Sequence, residues 1–238
     1  MSHQTKERRA DDVSRRAKKP DSMYAYCRII GCHQPATAGT ESGLNRLYCR
    51  KHEDHYERHG SYTKPSYRLE DIREHRRTAT KWVKEHKSDP ALVYAIGEIN
   101  RLYRQAGPKT EAFRLRGLKP EERAWAAWAR LRDAGVDPVR PLIAWITIAL
   151  TIKHDSQPES KKEYQRVQAA KLVHRMASGS HKRWERQQPN GKVVVEELHQ
   201  YPKSRGLVLR HLGKQLEKAA GGLEELVLRH LSSVVEPA

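Results

Sequence analysis

The sequence predicts a mainly α-helical protein with small β elements: a small metal-held N-terminal module, then a larger helical domain containing a β-hairpin. Three observations carry this reading. The only cysteines, Cys27, Cys32 and Cys49, fall in one short stretch with His52 three positions after the last. Apolar residues downstream recur at helical spacing between breaks marked by proline and glycine. Asn190-Gly191 precedes Val193-Val194-Val195, which is the signature of a hairpin.

The totals narrow the function classes. The formal net charge is +17, from 46 Lys plus Arg against 29 Asp plus Glu. Such an excess points to a polyanionic partner, nucleic acid first, with anionic membranes and acidic protein surfaces behind it. The chain lacks a Walker A loop, a dinucleotide fingerprint and a G-x-S-x-G elbow. Its first twenty residues are polar and basic, unlike a secretory signal. The apolar run from Leu142 to Ile152 is too short to span a bilayer. An odd number of cysteines grouped with histidine fits a metal in a reducing compartment better than disulfides. A cytoplasmic, nucleic-acid-associated protein without membrane contact is therefore expected.

Taken in order, residues 1–20 read as a disordered basic arm carrying Arg8, Arg9, Arg15 and Arg16. It serves either as a solubilising tail or as a nucleic-acid arm that gains affinity through counterion release. Residues 21–63 form the metal module. Cys27 and Cys32 are spaced as a knuckle, and Gly39 and Gly43 supply turns. Leu44 to Tyr48 can supply the second strand of a short hairpin, and Cys49 opens a polar helix that Gly60 closes. Cys49 and His52 lie at i and i+3 on one helix face, so three thiolates and an imidazole make a complete tetrahedral Zn2+ set. His55 is a rival for the fourth position.

Knuckle, hairpin and helix together make a treble-clef layout. The stretch resembles the short treble-clef zinc fingers of bacteriophage and mobile-element proteins, often found beside HNH-type endonucleases. Those read C-x4-C, a proline shortly after, a glycine-rich hairpin, then C-x2-H-Y-x-R and a glycine at the exit. The residues that carry the likeness are Cys27, Cys32, Pro35, Gly43, Cys49, His52, His55-Tyr56, Arg58 and Gly60, within roughly residues 24–62. Tyr56 departs from the pattern by standing four residues after His52. The resemblance implies a zinc-held fold and a phage or mobile-element setting; such a module binds DNA, binds protein or only staples a small fold, and Arg58 is a candidate nucleic-acid contact.

Residues 64–134 read as a helical region. Ser66 to Lys87 is a basic helix with Arg68, Arg73, Arg76, Arg77, Lys81 and Lys84, and with Leu69, Ile72, Trp82 and Val83 as apolar points. Ser88-Asp89-Pro90 starts the next helix, whose Leu92, Ile96, Ile99, Tyr103 and Ala106 share a face before Gly107-Pro108. Lys119-Pro120-Glu121-Glu122 starts another, carrying Trp125, Trp128 and Leu131 and ending at Gly135. The two tryptophans suit a core, with base stacking as the alternative.

Residues 135–200 begin with the run LIAWITIALTI, read as a buried helix from its length and proline entry. A further basic helix spans Pro158 to Met176. A hairpin follows, Trp184 to Gln188 and Lys192 to Leu198, with Asn190-Gly191 as a type I′ turn. Helices followed by a hairpin suggest a winged helix-turn-helix, which would bring Lys162, Arg166, Lys182, Arg183 and Arg186 to phosphates. A plain hairpin covering a helical core is the alternative. Residues 201–238 repeat LVLRHL, at Leu207 to Leu212 and Leu226 to Leu231, across Gly221-Gly222. A C-terminal helical hairpin closing the core is expected.

Three functions follow as expectations. The first is a zinc-finger nucleic-acid-binding protein, DNA favoured over RNA, acting as a regulator or accessory factor. The second is an adaptor docking on a larger nucleic-acid-processing complex. The third is a metal-dependent HNH-like nuclease. For that last reading His154-Asp155, His174 and His181 are the downstream candidates before His199, and they lack the arrangement such a centre uses, a histidine base on a hairpin with a second, metal-binding histidine packed against the finger. No catalytic residue is assigned.

Overall fold

A computed structural model of the chain describes residues 26–36, 38–40, 43–159, 161–203 and 206–235. The basic arm with Arg8, Arg9, Arg15 and Arg16 lies outside the described residues. The chain divides between Pro65 and Ser66 into two compact units.

In the first unit backbone hydrogen bonds and polar contacts, more than apolar burial, set the shape. Among the described residues its buried hydrophobic ones are Cys27, Ala36, Ala38 and Cys49, too few to make a conventional core. Cys32 N–H closes a tight turn onto the Ile29 carbonyl at 2.9 Å, and Cys27 N–H donates to the Gln34 carbonyl at 2.8 Å. Strands β1 (Ala38–Thr40) and β2 (Gly43–Asn45) pair antiparallel, with Ala38 opposite Asn45. Helix α1 (Arg50–His59) follows, with Cys49 as its extended N-cap. Gly60 ends it at φ 78°, a left-handed position that glycine adopts without strain, and donates to the Tyr56 carbonyl at 2.8 Å.

The second unit is helical. Helix α2 (Leu69–Glu85) buries Ile72, Ala79, Trp82 and Val83 and turns its charged positions outward. Helix α3 (Pro90–Gln105) starts where the Asp89 carboxylate accepts from Ala91 N–H at 2.8 Å, with proline in the first turn. Helix α4 (Pro120–Asp133) is capped by the Glu122 carboxylate, which accepts from Lys119 N–H at 2.8 Å. Trp128 is fully buried and donates to Gln215 at 2.9 Å, so it is a core residue rather than a stacking platform.

Helix α5 (Val139–Lys153) is central. Ten of its residues are buried, which explains a run of β-branched residues that reads equally well as a strand: the helix has no solvent face to keep polar. It packs against α2, α6, α7 and α8. Helix α6 (Lys162–His174) is shorter than its sequence pattern and lies against both α5 and α7 (Leu207–Ala220). In α7, Val208, Leu209, Leu212 and Leu216 are buried. Helix α8 (Leu223–Val235) follows Gly221-Gly222 and packs chiefly on α5.

Strands β3 (Ser180–Gln187) and β4 (Val193–Gln200) pair antiparallel from Ser180 opposite Gln200 to Gln187 opposite Val193. The hairpin is thus longer than the sequence pattern, and its loop differs in kind. Gly191 N–H bonds to the Gln188 carbonyl at 2.9 Å, and Gln188 N–H to the Lys192 carbonyl at 2.8 Å. Pro189 makes the difference, because its fixed φ takes the second position of a four-residue turn. Gly191, at φ 77°, then rejoins the strand as the left-handed residue of a three-residue loop, in place of an Asn-Gly type I′ pair. Among the described residues no helix is long and apolar enough to cross a membrane.

Candidate metal centre and basic surface

Cys27 and Cys32 flank the tight turn; Cys49 is the N-cap of α1 and His52 stands in its first turn. That placement brings one donor atom from each of Cys27, Cys32, Cys49 and His52 within 4.8 Å of every other. A tetrahedron with metal–sulfur bonds of about 2.3 Å and a metal–nitrogen bond of about 2.0 Å puts sulfurs about 3.8 Å apart and sulfur about 3.5 Å from nitrogen. The corresponding distances are 3.9 Å for Cys32 Sγ to Cys49 Sγ, 3.4 Å for Cys27 Sγ to His52 Nδ1 and 3.3 Å for Cys49 Sγ to His52 Nδ1. The four residues therefore fit a tetrahedral, thiolate-preferring ion and are compatible with zinc. Cys27 and Cys49 are buried while Cys32 is partly exposed.

The surrounding electrostatics suit ligation. Burial holds His52 below the ordinary imidazole range, with Lys51 and His55 adding to the effect, and neutral imidazole is the form that binds metal. Burial pushes the Cys49 thiol up. Burial opposes ionisation of Cys27 as well, but hydrogen bonds from the Cys49 and Ile29 amides and the neighbouring thiols outweigh it and lower its pKa.

His55 is engaged elsewhere, its Nδ1 2.8 Å from the Ser61 carbonyl and its ring 4.3 Å from that of His59. The fourth donor of the cluster is His52. Two supports carry no sequence signal of their own. Asn45 accepts from Leu47 N–H at 2.8 Å and donates to the Glu53 carboxylate at 2.8 Å, fixing the approach to Cys49 against α1. Tyr62 stacks between Tyr48, at 3.7 Å, and Tyr56, at 4.3 Å.

The basic residues fall into distinct environments. Arg58 is exposed on α1. On α2, Arg73, Arg76, Arg77 and Lys84 are exposed and share one face with Leu69 and Thr80. Arg77 pairs with Glu74 at 2.7 Å; Arg73, Arg76 and Lys84 have no acidic partner among the described residues. The α6 cations are answered from distant segments. Lys162 meets Glu224 at 3.2 Å, and Arg166 meets Glu217 at 2.5 Å. Eight residues of α6 are buried, so the helix turns most of its surface into the core. On the hairpin, Lys182 pairs with Glu111 at 2.9 Å, Arg183 with Glu197 at 3.6 Å and Arg186 with Glu196 at 3.1 Å.

The histidines considered for catalysis are not brought together. His154 Nδ1 sits 2.8 Å from the Leu150 carbonyl and its ring stacks on His75 at 5.1 Å. His174 is buried at the end of α6, and His181 faces Glu197 at 3.5 Å on the hairpin. No family model, curated protein or solved structure matches the chain.

Proposed function

We propose that this is a nucleic-acid-binding protein whose first unit is a treble-clef zinc finger and whose second unit presents a phosphate-contacting face on α2. The order of tight turn, short hairpin and helix, with donors at the turn and the helix start, supports the finger. The observation that carries nucleic-acid binding is the α2 face, where Arg73, Arg76 and Lys84 stand exposed without acidic partners among the described residues. A row of unanswered cations on one helix face tracks a phosphate backbone, whereas cations already paired with carboxylates add little field. DNA is favoured over RNA, and a phage or mobile-element role as regulator or accessory factor follows, through the finger's resemblance alone. In a winged-helix mode β3–β4 would be the wing.

Binding to duplex DNA and to RNA, measured across a salt series, tests this. The logarithm of affinity should fall linearly with that of salt, and Arg73→Ala with Arg76→Ala should flatten the slope by about 0.9 per lost duplex contact. Affinity that ignores salt, or an unchanged slope in the double variant, would sink the reading.

One observation favours a second reading, a protein adaptor on a larger nucleic-acid machine. Trp184, Val193, Val195 and Leu198 on the hairpin are each at least 40% exposed, an apolar display unusual on a surface free of partners. Nothing in the geometry favours the nuclease.

A further inference from the structure

A small, partly open cavity lies where the root of the β3–β4 hairpin meets α4 and the 109–115 segment. Arg130 of α4, His174 at the end of α6 and Ser180 at the start of β3 line it, with the more exposed Arg123 and Lys109 beside them. Arg130 is 6% exposed and His174 1%.

A guanidinium stays charged in a protein, so a buried arginine calls for a counter-charge. Arg130 has none among the described residues. Its Nη2 donates to the His174 carbonyl at 2.6 Å, and its guanidinium carbon lies 5.2 Å from the centre of the Tyr201 ring. Its Nε–H and the His174 Nδ1 are buried without a hydrogen-bond partner. Ser180 Oγ accepts from Ala112 N–H at 2.7 Å, which leaves the serine proton to donate elsewhere. No carboxylate lines the cavity. The field is positive enough to act on His174 itself: burial, then Arg130, Arg175 and Arg123, push its pKa down to about 3. The imidazole is therefore neutral at ordinary pH and can carry its proton on Nδ1.

The cavity volume, about 10 Å³, suits one water-sized guest. A water would meet the orphaned donors but leave the charge of Arg130 unanswered. We propose that the cavity binds one small inorganic anion of halide size, held by Arg130 Nε, His174 Nδ1 and the Ser180 hydroxyl. Such an ion would fasten the hairpin root to the helical body, and at that root the two ends of the hairpin already approach closely. A Cβ added at Gly179 would stand 2.2 Å from the Gln200 carbonyl oxygen.

Thermal unfolding of the full chain, followed by tryptophan emission at constant ionic strength, tests this when chloride or bromide replaces gluconate. The midpoint should rise with halide and saturate; the rise should be lost in Arg130→Met and need about tenfold more halide in Ser180→Ala. Crystals grown in bromide should show anomalous density at the cavity, a measurement that stands even if Arg130→Met fails to fold. A midpoint that responds to ionic strength alone, an equal shift with inorganic phosphate, or absence of bromide from the cavity would each overturn the proposal.

Discussion

At the scale of single residues, four donors and one buried histidine do the most. Structural metal sites contribute folding free energy directly, on the order of 10 kcal/mol for small zinc modules. Apolar burial adds little in the first unit, where four hydrophobic residues are buried among the described ones. Cys49→Ser should therefore lower bound metal from about one ion per chain to well under half. His52→Ala should do likewise, while His55→Ala should retain the ion because His55 bonds to the Ser61 carbonyl instead. Metal analysis of the purified variants decides, and an ion kept by His52→Ala but lost by His55→Ala would reverse the assignment. His174 makes a pH prediction. Its folded pKa is about 3 against a reference of 6.5, so between those values the unfolded chain takes up a proton that the folded chain refuses. The stability this secures is complete above pH 6.5 and drains away as pH falls toward 3, by on the order of 5 kcal/mol at the limit. Unfolding free energies taken from pH 7.5 to 5 should fall less steeply in His174→Gln than in the parent; parallel slopes would rule the histidine out as the cause.

At the scale of elements, glycine shows how packing overrides propensity. A Cβ at Gly213 in α7 would meet the Arg166 carbonyl oxygen at 2.6 Å, whereas one at Gly97 in α3 meets nothing within 4 Å. Alanine gains about 1 kcal/mol over glycine within a helix, and forcing two helices apart costs about 1–3 kcal/mol. Gly97→Ala should therefore stabilise by roughly 0.5–1 kcal/mol, and Gly213→Ala should destabilise despite the same propensity gain. Denaturant unfolding separates them; stabilisation by both would mean that α6 and α7 are not in close contact. The same contrast explains which elements were legible in the sequence. Helix α3 announces itself by Asp89-Pro90 and a 3.6-residue apolar row, and α5 by its proline entry and length. The metal cluster is legible because its donors lie close together along the chain. Helix α6 is less legible, since no local pattern shows that Lys162 and Arg166 pair with Glu224 and Glu217 from the far end of the chain. The cavity at Arg130 draws its lining from residues spread between Lys109 and Pro202, and no local pattern marks such a gathering.

At the scale of the whole molecule, the tryptophans and the candidate metal donors divide between the two compact units. All five tryptophans, Trp82, Trp125, Trp128, Trp145 and Trp184, fall after the division at Pro65 and Ser66, while the four metal donors precede it. Burial of Trp128, Trp145 and Trp82 within the helical core makes tryptophan emission a report on the second unit. The stack of Tyr48, Tyr62 and Tyr56 belongs to the first. If the first unit is the proposed zinc finger, a chelator strong enough to remove the ion should unfold it, because metal binding and folding are coupled in modules so small. It should leave the apolar core of the second intact, since that core needs no metal. Near-ultraviolet circular dichroism should lose on chelation the part that the Tyr48, Tyr62 and Tyr56 stack contributes and regain it when zinc is added back, while Tyr103 and Tyr164, buried in the second unit, keep theirs. Tryptophan emission and the denaturant midpoint of the helical unit should stay where they were. Loss of both signals together would show that the helical unit depends on the ion, and the division into separately stabilised units would fall with it.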